Sequence, residues 1–223
     1  MRSVRNFGLA ATIYMGFVAG SAHAASISYN LDLSNAMPDG VNYLTVTIMD
    51  TTDGDINFAV KVNESNFPVI GSNFGMDNFY FNFDDNLTIT ADNIEIIQDG
   101  SEVKTNKHGK SNNHSGWSVK TDTNAGGGFG LFGFDLKGNG NTRTELLTFN
   151  ITGIDNDTIW DYATGYQETG GNFFAAHVGG YTYSSGISSA KFSTATSVVP
   201  VPASVWLFSS GFLALIRFAR RKS

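Results

Sequence analysis

The chain of 223 residues contains no cysteine. That absence removes disulfides, thiolate nucleophiles and zinc–thiolate centres together, so packing alone must hold the fold. Positive charge is scarce as well, with 14 Lys and Arg against 20 Asp and Glu. Six of those basic residues lie in the two ends of the chain, which leaves residues 25–197 with eight against all twenty acids, a net charge of −12. Phosphate affinity requires clustered Lys and Arg, so this balance argues against nucleic-acid binding. No repeat of fixed period runs through the chain, which sets aside a β-helix. The G-x-S-x-G and H-E-x-x-H signatures of hydrolytic sites are missing too, and between the two ends little recurs at the 3.6-residue helical period.

What is there instead has period two. Ile27, Tyr29, Leu31 and Leu33 alternate with polar residues, as do Tyr43 or Leu44 with Val46 and Ile48, then Ile56, Phe58, Val60 and Val62, then Phe79, Phe81 and Phe83. Further strand-like segments cover 87–90, 94–98, 129–136, 146–151, 173–178 and 187–192. Turn chemistry separates them at Met37-Pro38-Asp39-Gly40, Asp53-Gly54-Asp55, Asp99-Gly100-Ser101 and Gly138-Asn139-Gly140-Asn141. Around ten short strands without a helix predict an all-β fold, a single antiparallel β-sandwich of jelly-roll-like arrangement over residues 25–197.

The two ends differ from this body. Arg2 and Arg5 precede an apolar stretch from Phe7 to Gly20, and Ala22-His23-Ala24 then places small residues where signal peptidase needs them. Residues 1–24 are therefore expected to be a signal peptide cut between Ala24 and Ala25. At the other end, Val205 to Ala219 carries no charge except Arg217. As a helix of about 15 residues it rises roughly 22 Å, short of a hydrocarbon core of roughly 30 Å, and the segment from Val198 extends it. Trp206 sits where an interfacial anchor belongs, and Arg220, Arg221 and Lys222 supply a cytoplasmic basic flank. Pro200 and Pro202 keep the helix from starting earlier. Residues 198–223 thus predict a membrane-inserted tail.

This tail resembles the PEP-CTERM sorting signal read by exosortases in Gram-negative bacteria, in the form of its VPLPA-type variant. The residues that carry the resemblance are Val199-Pro200-Val201-Pro202-Ala203, then Val205-Trp206-Leu207-Phe208-Ser209-Ser210-Gly211, with Arg220 and Arg221 behind. Val201 stands where the eponymous motif has Glu. The resemblance covers about the last 26 residues. It implies that an integral-membrane cysteine peptidase cuts near the proline motif and that the mature protein passes to the cell surface or extracellular polysaccharide. The partners so implied are signal peptidase, an exosortase and exopolysaccharide. The segment around His177, from Asn172 to Gly180, also resembles a phenylalanine–alanine–histidine–valine signature of many PEP-CTERM proteins. In that apolar setting a hydrogen-bonded structural histidine is expected.

Within the body three sets of residues stand out. The longest irregular stretch runs from Lys104 to Gly128 and holds His108, His114 and Trp117. It reads either as a plain surface loop or as a ligand loop gripping an anion or a sugar; the six-residue spacing of the histidines fits no regular metal site. Asp50, Asp53 and Asp55, and again Asp155, Asp157 and Asp161, offer the oxygen ligands that Ca²⁺ prefers, although neither matches an EF-hand loop and Asp before Gly also does ordinary turn duty. No cofactor is expected, with structural calcium as the alternative reading of these clusters. Trp117 and Trp160 lie beside polar residues, the setting of a sugar-stacking platform or of a core indole. A non-catalytic surface or matrix protein fits these features. A polysaccharide-active hydrolase, which needs two facing carboxylates, and a calcium-stabilised adhesive module are the alternatives.

Overall fold

The computed structural model describes residues 25–98, 101–103, 117–138, 140–141, 143–164 and 171–194. The expected signal peptide, the expected sorting tail with its helix, His108 and His114 lie outside these residues.

Among the described residues twelve strands form two antiparallel sheets of six. The strands are β1 (Ser26–Leu31), β2 (Leu33–Ser34), β3 (Leu44–Asp50), β4 (Ile56–Val62), β5 (Ile70–Phe81), β6 (Ile94–Gln98), β7 (Ser101–Val103), β8 (Ser118–Asn124), β9 (Leu131–Lys137), β10 (Leu146–Ile151), β11 (Phe174–Tyr181) and β12 (Ser189–Ser193). The first sheet has the order β1-β3-β4-β10-β6-β7 and the second β2-β12-β11-β5-β9-β8. Hairpins join β3 to β4, β6 to β7, β8 to β9 and β11 to β12; the other connections change sheet.

Period-two patterning explains why the sheets stack. In β4 the residues Ile56, Phe58, Val60 and Val62 are buried while their neighbours are not, and β1 and β3 alternate likewise. The buried faces meet in one core made largely of aromatic rings. Phe58 of the first sheet lies 5.3 Å from Phe81 of the second and 4.6 Å from Phe149 beside it, and Tyr29 reaches Phe174 across the gap at 5.3 Å. Such pairs add about 0.5–1.5 kcal/mol each beyond their buried area. This is how a chain without disulfides is held.

The other face of the second sheet carries a smaller cluster, in which Tyr80, Ala125, Phe132 and Ala175 pack with Phe129. Phe129 comes from the glycine-rich β8–β9 connection.

Two expectations change. Residues 87–90 form no strand. Leu87 closes a turn by donating its N–H to Asp84 at 2.9 Å, and Thr90 caps the 3₁₀ turn Ala91–Asn93. The irregular stretch expected as far as Gly128 contains β8, paired along β9 from Ser118 to Asn124. Trp117, at the entrance of β8, is only 1 % exposed and belongs to the main core. An indole buried there offers no stacking face, so Trp117 is a core residue and not part of an exposed ligand loop.

Candidate functional site

One charged cluster centres on Asp77. β5 pairs with β11 as Asn78 with His177 and Met76 with Val178, which leaves Asp77 as the extra residue of a bulge. A bulge re-aims a side chain that regular pairing would hold elsewhere. Here it brings the Asp77 carboxylate to His177, whose Nδ1 pairs with Oδ1, and to Arg143, whose Nε donates to Oδ2 at 3.1 Å. Arg143 also donates from Nη1 to the Asn73 carbonyl at 3.3 Å. The segment that carries it is fixed by two backbone bonds between Met76 and Thr144. Burial alone would raise the Asp77 carboxyl, but the hydrogen bonds and charges of His177 and Arg143 outweigh it and hold the group below the usual aspartate value. The guanidinium lies against the backbone of Gly179, where a Cβ would come within 2.7 Å of it. Three segments far apart in sequence are thereby tied at one point, and His177 serves as a hydrogen-bonded member of the fold.

Asp135 lies on the neighbouring strand β9. It is 2 % exposed and accepts a bond from Asn78 Nδ2 at 3.0 Å. Burial pushes its carboxyl up, against the opposing effects of Asn78 and of Lys137, Lys120 and Lys191. Tyr80 is pushed up too, by burial first and then by the Asp135 and Asp77 charges. Lys191 Nζ donates to the Ala125 carbonyl and ties the glycine-rich connection to β12.

The two acidic clusters feel each other's charge at one point, Asp157. Burial raises the Asp157 carboxyl, and both Asp161 and Asp55 push it further in the same direction, while a 2.5 Å bond from the Tyr162 hydroxyl opposes them. Asp161 is occupied locally, accepting from the Thr158 backbone N–H at 2.7 Å and from its hydroxyl at 2.9 Å. Among the described residues no group of three or more His, Asp or Glu is placed to hold a metal ion.

A cleft of about 240 Å³ opens near the end of β5, lined by Asn82, Phe83, Asp85, Ile89, Thr121, Asp122, Gly133 and Phe134. The Asn82 carboxamide continues the sheet where the ladder stops, accepting from Gly133 N–H at 2.9 Å and donating to the Asn172 carbonyl at 3.1 Å. The Phe83 ring occupies the space a side chain at Gly133 would need, with a Cβ there falling 2.9 Å from the ring. Phe83 also packs on Phe134 at 5.3 Å. Asp122 sits opposite Gly133 with φ +50°, a left-handed conformation rare within a strand. Close by in the fold, Asp84 N–H donates to the Asp161 carbonyl at 2.7 Å, and the residue before Asp161, Trp160, is 54 % exposed. Sequence reasoning passed over this cleft because its residues come from three separate segments; the lone glycine between Phe132 and Phe134 was the one local sign of it.

The described residues thus form an all-β body of two antiparallel sheets, of sandwich-like build. No protein-family model, curated protein or solved structure matches the chain.

Proposed function

We propose that this is an exported, non-catalytic surface or matrix protein, sorted by an exosortase and associated with exopolysaccharide. In this reading residues 1–24 are a signal peptide, residues 25–197 a jelly-roll-like β-sandwich and residues 198–223 the sorting signal. The observation that carries the reading is the pair of terminal segments: Arg2, Arg5 and the Ala22-His23-Ala24 ending at one end, Pro200-Val201-Pro202, Trp206, Gly211 and the Arg220-Arg221 cluster at the other. An alternating, cysteine-free body with a net charge of −12 suits a soluble module outside the membrane. The many connections that change sheet support the jelly-roll-like description. The tail holds the chain in the inner membrane until cleavage near the proline motif frees the body. No cofactor is assigned.

Intact-mass measurement of the exported protein tests the reading at both ends. The expected chain begins at Ala25 and ends close to Pro200-Val201-Pro202. Recovery of a chain still carrying Arg220 and Arg221 from exosortase-positive cells would refute sorting.

A further inference from the structure

We infer that Asp53 is a site of spontaneous covalent modification, where the folded protein converts its Asp53-Gly54 peptide bond to an isoaspartyl linkage. The chemically identical pair Asp39-Gly40 is protected by the fold. The inference stands apart from the sorting and polysaccharide readings above.

In an Asp-Gly pair the amide nitrogen of the glycine attacks Cγ of the aspartic acid. A C–N bond forms, the carboxyl hydroxyl and the amide proton leave together as water, and a five-membered succinimide results. One water then adds to either ring carbonyl and opens the ring. Opening at the side-chain carbonyl restores aspartate. Opening at the main-chain carbonyl leaves the backbone running through Cβ and Cγ, with the α-carboxylate as the side group. Water is lost once and regained once, and nothing is oxidised or reduced. Glycine favours the attack because it has no Cβ to obstruct the approach.

Both pairs are exposed, each has a left-handed glycine, and nothing lies within 4 Å of a Cβ built on either glycine. They differ in what holds the reacting atoms. Asp39 Oδ1 accepts from the Ser34 N–H at 2.8 Å, and the Gly40 N–H donates to the Asp32 carbonyl at 2.8 Å. Electrophile and nucleophile are thus each committed elsewhere. At the β3–β4 turn the Gly54 N–H reaches the Thr51 carbonyl only at 3.4 Å, beyond the usual limit of about 3.2 Å. Among the described residues no hydrogen bond or ion pair holds the Asp53 carboxylate. The turn is closed outside the pair, by the Thr51 N–H on the Asp55 carbonyl at 2.8 Å and the Asp55 N–H on Thr51 Oγ1 at 3.0 Å. The pair therefore moves within a fixed frame. The ladder from Leu44–Val62 to Asp50–Ile56 keeps its register when the turn gains a main-chain atom. Asp99-Gly100 lies outside the described residues.

The test holds the full chain in a zwitterionic detergent at neutral pH for several weeks, beside a sample unfolded in guanidinium chloride. Chymotryptic digestion separates the two pairs, because Tyr43 and Leu44 lie between them. Electron-transfer fragmentation identifies the isoaspartyl peptide at unchanged mass, since it cleaves the new Cα–Cβ main-chain bond. In the folded sample Asp53 should convert within about threefold of its unfolded rate, because one stretched bond is all that opposes it. Asp39 should convert about thirtyfold slower folded than unfolded, since two bonds of ordinary length must break first. Asp53→Glu should abolish the signal in its own peptide, as the larger ring closes reluctantly, and leave Asp39 as it was. Equal conversion of Asp39 and Asp53 in the folded chain would overturn the inference. So would protection of Asp53 as strong as that of Asp39, or absence of conversion at Asp53 in both samples.

Discussion

Gly40 and Gly180 share a φ of +81°, and alanine substitution at the two positions separates backbone strain from lack of space. Nothing lies within 4 Å of a Cβ built on Gly40, so Gly40→Ala feels only the left-handed backbone, about 1–2 kcal/mol. At Gly180 the same Cβ would fall 2.0 Å from the Asn73 carbonyl oxygen, 2.6 Å from its carbon and 2.7 Å from Phe74 Cα. All three are backbone atoms, so no side chain can swing aside. Relief requires β5 and β11 to part where Gly75 pairs with Gly179 and Ile70 with Tyr181, and it pulls the Asn73 carbonyl away from Arg143. Losing those bonds on top of the strain should bring the cost of Gly180→Ala to about 4 kcal/mol or more. With a urea dependence of about 2 kcal/mol per molar, the unfolding midpoint should fall about 0.5–1 M for Gly40→Ala and about 2 M or more for Gly180→Ala. Tyrosine and tryptophan fluorescence in urea reads both. Equal midpoint shifts in the two variants would refute the argument that close approach of β5, rather than the sign of φ, makes glycine necessary at position 180.

Trp117→Ala should cost about 3–5 kcal/mol in the same titration, because it empties a fully enclosed indole site; a change under 1 kcal/mol would show that the ring is not part of the core. Asp77→Asn should cost about 2 kcal/mol at neutral pH by leaving the Arg143 cation without its carboxylate. Because the folded Asp77 pKa lies below its ordinary value, its contribution is present above the ordinary aspartate pKa and disappears as pH falls through the lower folded one. The gap between parent and Asp77→Asn should therefore narrow as pH falls below the ordinary aspartate value, and a gap that does not change with pH would contradict the assignment.

The strands that were legible in the sequence are those with one buried face. Ile56, Phe58, Val60 and Val62 alternate in sequence and in burial, and the same holds for β1 and β3. β8 was not legible, since Ser118–Asn124 has Val119 as its sole apolar residue and lies at a sheet edge. Residues 87–90 misled in the opposite direction: Leu87 and Ile89 alternate, yet Asp84 and Asn93 draw the backbone into turns. The first part of β5, from Ile70 to Asn73, is exposed and carries no apolar alternation. Of the candidate sites, His177 was singled out from its apolar surroundings, but its partner Asp77 is 100 residues away and reaches it only through a bulge. Pairing over that distance has no local signature. The same holds for the Asp55 charge felt at Asp157.

Sheet margins bear on how the protein behaves when crowded. Among the described residues the outermost strands are β1 and β7 in one sheet and β2 and β8 in the other. Two of them, β2 and β7, are two and three residues long, too short to template a neighbouring chain. β8 is longer, but the left-handed backbone at Asp122 interrupts its extended line, and Lys120 adds a charge that an approaching strand must desolvate. Among the described residues only β1, with six regular residues, presents an uninterrupted margin. Chains brought together at high concentration therefore have little opportunity to join edge to edge, and any fibrous self-association should begin at Ser26–Leu31.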